Sequence, residues 1–164
     1  MSTEHRYTPP EASRVTELPE WLAGYLDGSG LLAKTQAVRI STVDTEGWPH
    51  ATLLSAGDMV ALPPDRLRLL TYPRSTTTAN LTRDGRLALT LSVEGGMGEV
   101  RLRARRLDPP PTVDLAMFEA ITESVRFHRA PYADVTTGVT FTVHDPETVL
   151  QRWERQIGAL RATP

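Results

Sequence analysis

The sequence predicts a mainly β protein, an antiparallel barrel with helices attached, and three observations point there. Between Ala37 and Leu107 short segments of alternating apolar and polar residues follow one another, each bounded by turn residues. A parallel α/β layout would need a helix after almost every strand, and this stretch holds one short helix. The chain has 164 residues and no cysteine, so one domain can bury its own core without disulfides.

The elements are read in order. Residues 1–14 are polar, contain Pro9-Pro10 and are expected to form a loose arm; 15–164 is read as a single domain with a C-terminal helix. Leu18, Trp21, Leu22, Tyr25 and Leu26 share a helical spacing, and Asp27-Gly28-Ser29-Gly30 stops that helix. Ala37 to Val43 and His50 to Ser55 read as strands joined by the turn Asp44-Thr45-Glu46-Gly47. Met59 to Leu62 and Arg66 to Tyr72 follow, with Pro63-Pro64-Asp65 between them. The latter segment alternates Leu67, Leu69 and Thr71 against Arg66, Arg68, Leu70 and Tyr72.

A hydroxyl cluster, Arg74-Ser75-Thr76-Thr77-Thr78, then opens a helix of about two turns that ends at Asp84-Gly85. Threonine is a mediocre helix former, because branching at Cβ restricts its rotamers. One reading is a Ser75 cap with surface threonines behind it. The other is an anion site, since a helix start offers unpaired N–H groups and a positive partial charge.

Arg86 to Val93 and Glu99 to Leu107 read as strands around a flexible loop, Glu94 to Gly98. In the second of them Val100, Leu102 and Ala104 face in, and Arg101, Arg103 and Arg105 face out. The arginine row is either a solvated face, an anion site or a subunit contact. Past Pro109-Pro110-Pro111, Thr112 is expected to cap a helix with Leu115, Phe118, Ile121 and Val125 along one side and His128 near its end. Thr137 to His144 reads as a strand. Asp145-Pro146-Glu147 starts a last helix whose apolar stripe is Val149, Leu150, Trp153, Ile157 and Leu160.

The formal net charge of −2 gives no global pull toward nucleic acid or membrane. No stretch approaches the roughly 20 apolar residues of a membrane span, and the first residues lead into no signal-like apolar run. A cytoplasmic protein is the expectation. Without cysteine, thiolate metal sites and cysteine nucleophiles are excluded. His5, His50, His128 and His144 match no zinc spacing. No Ser/His/Asp order or acid pair stands out as catalytic. Gly95-Gly96-Met97-Gly98 joins two strands, so it is a hairpin and not a dinucleotide loop.

The hairpin Val43-Asp44-Thr45-Glu46-Gly47-Trp48-Pro49-His50-Ala51-Thr52, the strand end Leu69-Leu70-Thr71-Tyr72, the run Ser75 to Leu87 and the strand Glu99 to Ala104 together resemble the FMN-binding split barrel of the pyridoxamine 5′-phosphate oxidase-like superfamily. The resemblance implies an antiparallel split β-barrel and a homodimer with FMN at the subunit interface. It implies that Thr52, Leu53, Leu54 and Ser55 border the flavin through their backbone, with His50 on the same strand. It implies that Thr71, Arg74, Ser75, Thr76 and Thr77 surround the phosphate. The sequence departs from the family's oxidases in two places. Thr76 and Thr77 stand where those enzymes carry a basic pair, and Glu99 stands where they often carry a flavin-contacting glutamine.

Those oxidases also recognise substrate through a Trp- and Arg-containing tail. Here Trp153 fits the apolar stripe and is read as core, so pyridoxine phosphate is not the expected substrate. A flavin-dependent oxidoreductase follows from the resemblance, with the chemistry residing in the cofactor. Related split barrels use F420 or bind haem, so those cofactors are alternatives. A dimeric binding protein that has lost flavin is a further one. A nucleic-acid binder is disfavoured by the net charge and the few aromatic residues.

Overall fold

The computed structural model describes residues 7–11, 13 and 15–164. Seven strands, β1 (Val38–Val43), β2 (Pro49–Leu54), β3 (Met59–Leu62), β4 (Arg66–Thr71), β5 (Arg86–Val93), β6 (Gly96–Leu107) and β7 (Ala116–His128), form one sheet. Its order is β2-β1-β5-β6-β7-β4-β3, and the strands pair antiparallel throughout. Three helices flank it: α1 (Glu20–Tyr25), α2 (Thr76–Arg83) and α3 (Pro146–Ala162).

The connectivity forces the curl. β2 and β3 are the two edges of the sheet, yet only residues 55–58 separate them. A flat sheet would set these edges about 29 Å apart at about 4.8 Å per strand spacing. The chain from Leu54 to Met59 can reach at most about 18 Å. The sheet therefore rolls up until its edges approach without pairing, and the barrel is split there. Leu22, Leu26, Ile40, Leu67, Leu69, Leu89, Val100, Leu102 and Phe118 fill the core.

Three sequence expectations are corrected. The helix expected after Thr112 is the strand β7. Residues 116–120 are buried on both strand faces, so no period-2 alternation marks the segment, and an apolar run of that kind reads equally as helix. On one face Met117 meets Thr163 behind α3 and Glu119 bonds Arg68, while Phe118 lies in the core. His128 accordingly ends a strand.

The strand expected over Thr137 to His144 is an extended segment held by a single bridge, Gln36 to Thr140. Ala37 N–H donates to Val139 O at 2.8 Å and Phe141 N–H to Thr35 O at 3.0 Å. The loop expected at Glu94 to Gly98 shrinks to a tight turn at Glu94-Gly95, both at positive φ, and β6 begins at Gly96. Gly98 serves close packing, because a Cβ there would penetrate the Trp21 ring of α1. Of the expected N-terminal arm, residues 1–6, 12 and 14 lie outside the described residues. Ser13 is tied to the sheet by reciprocal backbone bonds of 3.1 Å to Val125.

The outward arginine row of β6 is matched by glutamates. Arg101 bonds Glu99 at 3.2 Å, Arg103 bonds Glu123 at 2.7 Å and Arg105 bonds Glu119 at 2.8 Å. A bulge in β7 opposite Arg101 and Leu102 shifts the register so that Glu119 and Glu123 both reach this row. Its charge is largely answered within the chain.

Candidate functional site

Helix α2 begins where the hydroxyl cluster predicts, with Ser75 as N-cap. The Ser75 Oγ accepts from Thr78 N–H at 3.1 Å, the cap geometry that satisfies one of the orphan donors. Thr78 is the centre of the arrangement. Its hydroxyl donates to Tyr72 O at 2.7 Å and lies 2.6 Å from Thr71 Oγ1, and it accepts from Ser75 Oγ at 3.1 Å. A hydroxyl has one proton to give, so Thr71 is the donor in its bond with Thr78. The hydroxyl protons of both Thr71 and Ser75 are thus spent inside the protein.

What the helix start still offers is narrower than the sequence suggests. The N–H groups of Thr76 and Thr77 have no partner among the described residues. Thr76 is exposed, and Arg74 is exposed beside it. Thr77 is buried, its side chain packed inward. The helix is locked to the sheet by Asn80, whose Nδ2 donates to Thr42 Oγ1 at 3.0 Å, and by Arg83, which donates to Val43 O.

The β2 segment meets a cleft of about 380 Å³ bordered also by the end of β4 and by α3. Leu53, Leu54 and Thr71 of the predicted set line it, together with Tyr72. Ser55 lines an adjoining cleft of about 570 Å³ that shares Leu53 and Leu54. Thr52 is half-buried and pairs with Ile40 across the β1–β2 ladder. Ser75, Thr76, Thr77 and Arg74 lie along the chain just beyond Tyr72 and line neither cleft. His50 is half-buried on β2 and also lines neither.

Sequence reasoning missed the other walls of the cleft. Thr112 to Leu115 form one, and Arg152, Arg155 and Gln156 of α3 form another. Both come from segments distant in sequence. The available signal was the pair Arg152 and Arg155, three residues apart and off the apolar stripe of α3.

The position of α3 follows from its contacts. Trp153, Ile157 and Leu160 are buried, each contributing about 1.5–3 kcal/mol by removal from water. Trp153 is core, as its place in the stripe predicts. Gly57 lies against the Trp153 ring, leaving no space for a Cβ. Gln156 Nε2 donates to Gly57 O at 2.9 Å and to Asp58 Oδ1 at 2.8 Å. At the far end, Arg68 donates to the carbonyls of Leu160 at 2.8 Å and Thr163 at 2.6 Å. These satisfy acceptors that a helix C-terminus otherwise leaves open.

The Arg68 charge is met by Glu119 Oε2 at 3.0 Å, and Arg105 holds the other carboxylate oxygen. Burial pushes the Glu119 carboxyl up, but the hydrogen bonds and charges of Arg105 and Arg68 outweigh it and hold the group below its ordinary value.

A sequence model of the pyridoxamine 5′-phosphate oxidase family matches residues 29–150, which span β1 to β7 and the start of α3. The chain belongs to this family. YclD of Bacillus subtilis (strain 168), an uncharacterised protein, is 34% identical over 151 residues, covering 90% of this chain and 98% of its own length. A solved structure from Lactobacillus delbrueckii, provisionally named a pyridoxamine 5′-phosphate oxidase, superimposes with a TM-score of 0.54 at 19% identity. It covers 70% of this chain and 98% of that one. HupZ of Group A Streptococcus superimposes with a TM-score of 0.53 at 10% identity, over 72% and 98% of the two chains. At such identities the two structures establish the split-barrel fold alone. Among the described residues no helix is long and apolar enough to cross a membrane.

Proposed function

We propose that this member of the pyridoxamine 5′-phosphate oxidase family binds FMN as a homodimer and acts as a flavin-dependent oxidoreductase. The observation that carries the reading is the pair of unpartnered N–H groups at Thr76 and Thr77, one turn of chain beyond the cleft lined by Leu53, Leu54 and Thr71. Two N–H groups and a helix dipole suit a phosphate, and Arg74 adds a positive charge beside them. The backbone of Thr52 to Ser55 would border the ring system.

When bound, the flavin supplies the electron transfer. The chain's own residues bind and orient. Thr78 fixes Thr71 and Ser75, and so the angle at which the chain enters α2; the apolar walls exclude water. The exposed Leu53 and Tyr72, beside the unpaired edge of β2, are the surface offered to a second copy.

One observation favours a second reading. The Thr71 and Ser75 hydroxyls are consumed internally and the basic pair is replaced by threonines, so the phosphate grip is lean. A dimeric split-barrel binding protein that has lost flavin, or that takes F420 or haem, fits that economy. The absorbance spectrum of freshly purified protein separates flavin, deazaflavin and haem. FMN titration with sedimentation then decides the rest: the proposed function requires a flavin spectrum or saturable FMN binding, and a dimer.

A further inference from the structure

Arg152 and Arg155 are the two arginines that line the 380 Å³ cleft. Arg101, Arg103 and Arg105 of β6 are answered by glutamates, and Arg68 and Arg66 by Glu119. Arg152 and Arg155 form no hydrogen bond or ion pair with a described residue, and both line the 380 Å³ cleft. They are three residues apart on α3, so they share a helix face, and Gln156 completes that face.

We propose that these two arginines are the anion-recognising wall of a ligand site in this cleft, and that the ligand is a small organic acid. It would have a flat apolar body and an oxyanion head, carboxylate or phosphate. As a substrate site the inference rests on the flavin reading; as a pocket it stands without it.

Four features carry it. The first is chemistry: guanidinium forks match carboxylate and phosphate oxygens in a paired geometry. The second is complementarity. The facing walls, Leu53, Leu54, Leu70, Val113 and Leu115, are apolar and suit a ring or chain below the head. The third is the state of the cleft's acids. Asp58 already accepts from Ser55 N–H and Oγ–H and from Gln156, and Asp114 is exposed at the rim. Neither bonds the arginines. The fourth is pre-organisation. Gln156, Trp153 and the Arg68 bonds to the end of α3 fix the helix that presents both arginines, which lowers the ordering cost of binding. The cleft volume lies near the low end of small-molecule sites and suits one or two rings.

The test is calorimetric titration of the full chain with 2-naphthoate, 2-naphthyl phosphate and the neutral isostere 2-naphthamide, alongside FMN. At least one acid should bind, with the amide about tenfold weaker or more, since each charge-assisted contact is worth that much. The stronger acid identifies the preferred head. Arg152→Gln and Arg155→Gln should each weaken the acid by about tenfold. They should leave amide binding, FMN affinity and the thermal midpoint unchanged, because both side chains are exposed and unpaired. Equal binding of acid and amide, or no binding of either acid, overturns the proposal. So does a loss of FMN affinity in the variants, which would make the arginines cofactor ligands. Retained acid binding in a chain that takes no FMN removes the flavin reading and leaves the anion pocket standing.

Discussion

Thr71 Oγ1 and Thr78 Oγ1 lie 2.6 Å apart, and this contact joins the end of β4 to the first turn of α2. It turns the hydroxyl cluster from a set of free ligands into a joint. Thr78→Val keeps the shape and removes the hydroxyl, leaving the hydroxyl protons of Thr71 and Ser75 without their partner, while Tyr72 O keeps the Ser75 N–H at 3.0 Å. The expected cost is about 1–3 kcal/mol, the desolvation of buried groups left unmade. Chemical denaturation should show a lower midpoint with an unchanged slope. Full wild-type stability would mean that water replaces the hydroxyl at no cost.

A second prediction concerns Glu119, which sits between Arg68 on β4 and Arg105 on β6, directly opposite each in the ladders. Removing its charge leaves Arg68 buried without a counter-ion. Glu119→Gln should cost about 3–5 kcal/mol, as for other broken buried pairs. The pH dependence has a definite sign. The folded carboxyl is held below its ordinary value, so the unfolded chain binds the proton first. Its contribution is complete above the unfolded value of about 4.3 and is lost as pH falls through the folded one. Thermal midpoints of wild type and variant should therefore converge as pH is lowered from neutrality into the acid range. A constant gap across that range would remove Glu119 from the acid response.

The third prediction tests what positions α3. Gly57 is not at a positive φ, so its role is space: a Cβ would enter the Trp153 ring. Gly57→Ala should destabilise by about 1–3 kcal/mol or more through overpacking. In a Trp153→Leu background the same change should cost clearly less, because the flat ring is gone. A double-mutant cycle measures the coupling, and additive effects would place the Trp153 ring elsewhere in solution.

Strand alternation made most of the barrel legible. So did the capping residues of α2 and α3: Ser75 and Asp145 accept from Thr78 and Thr148 N–H as the pattern implies. The strand β7 was illegible because its first half is buried on both faces and its glutamate is neutralised by neighbours far along the chain. Periodicity reports burial on one face, and this segment has two. The candidate site was half legible for a related reason. The sequence displays five hydroxyl or basic groups from Arg74 to Thr78, but whether a hydroxyl is free depends on Thr71 and Tyr72. Arg152 and Arg155 reach the cleft only because Trp153 and Gln156 dock on Gly57, a contact between distant segments that no local pattern encodes.

The last prediction concerns the missing basic pair. The resemblance places it at Thr76 and Thr77, but the two positions are not equivalent. Thr76 is exposed on the first turn of α2, and Thr77 is buried with 2% of its surface accessible. Thr76→Arg adds a guanidinium next to the two free N–H groups. A cation at a helix N-terminus costs about 0.3–1 kcal/mol against the dipole, but arginine regains part of that as a better helix former than threonine. The midpoint without ligand should barely move. A charge-assisted contact to a phosphate is worth about 1.5–3 kcal/mol, so FMN should bind at least about tenfold tighter. Thr77→Lys should behave differently. Its ammonium would enter a packed, low-dielectric site without a counter-ion, at a cost of several kcal/mol, and the protein should lose stability with no gain in affinity. Thr77→Glu should destabilise for the same reason and so cannot serve as a clean probe of the anion site. Fluorescence titration of FMN into wild type, Thr76→Arg and Thr77→Lys, with melting curves for each, reads all of this. Tightening by the first variant alone supports a phosphate at this helix start. No tightening, with weak binding throughout, would leave the flavin-free binding protein as the better description.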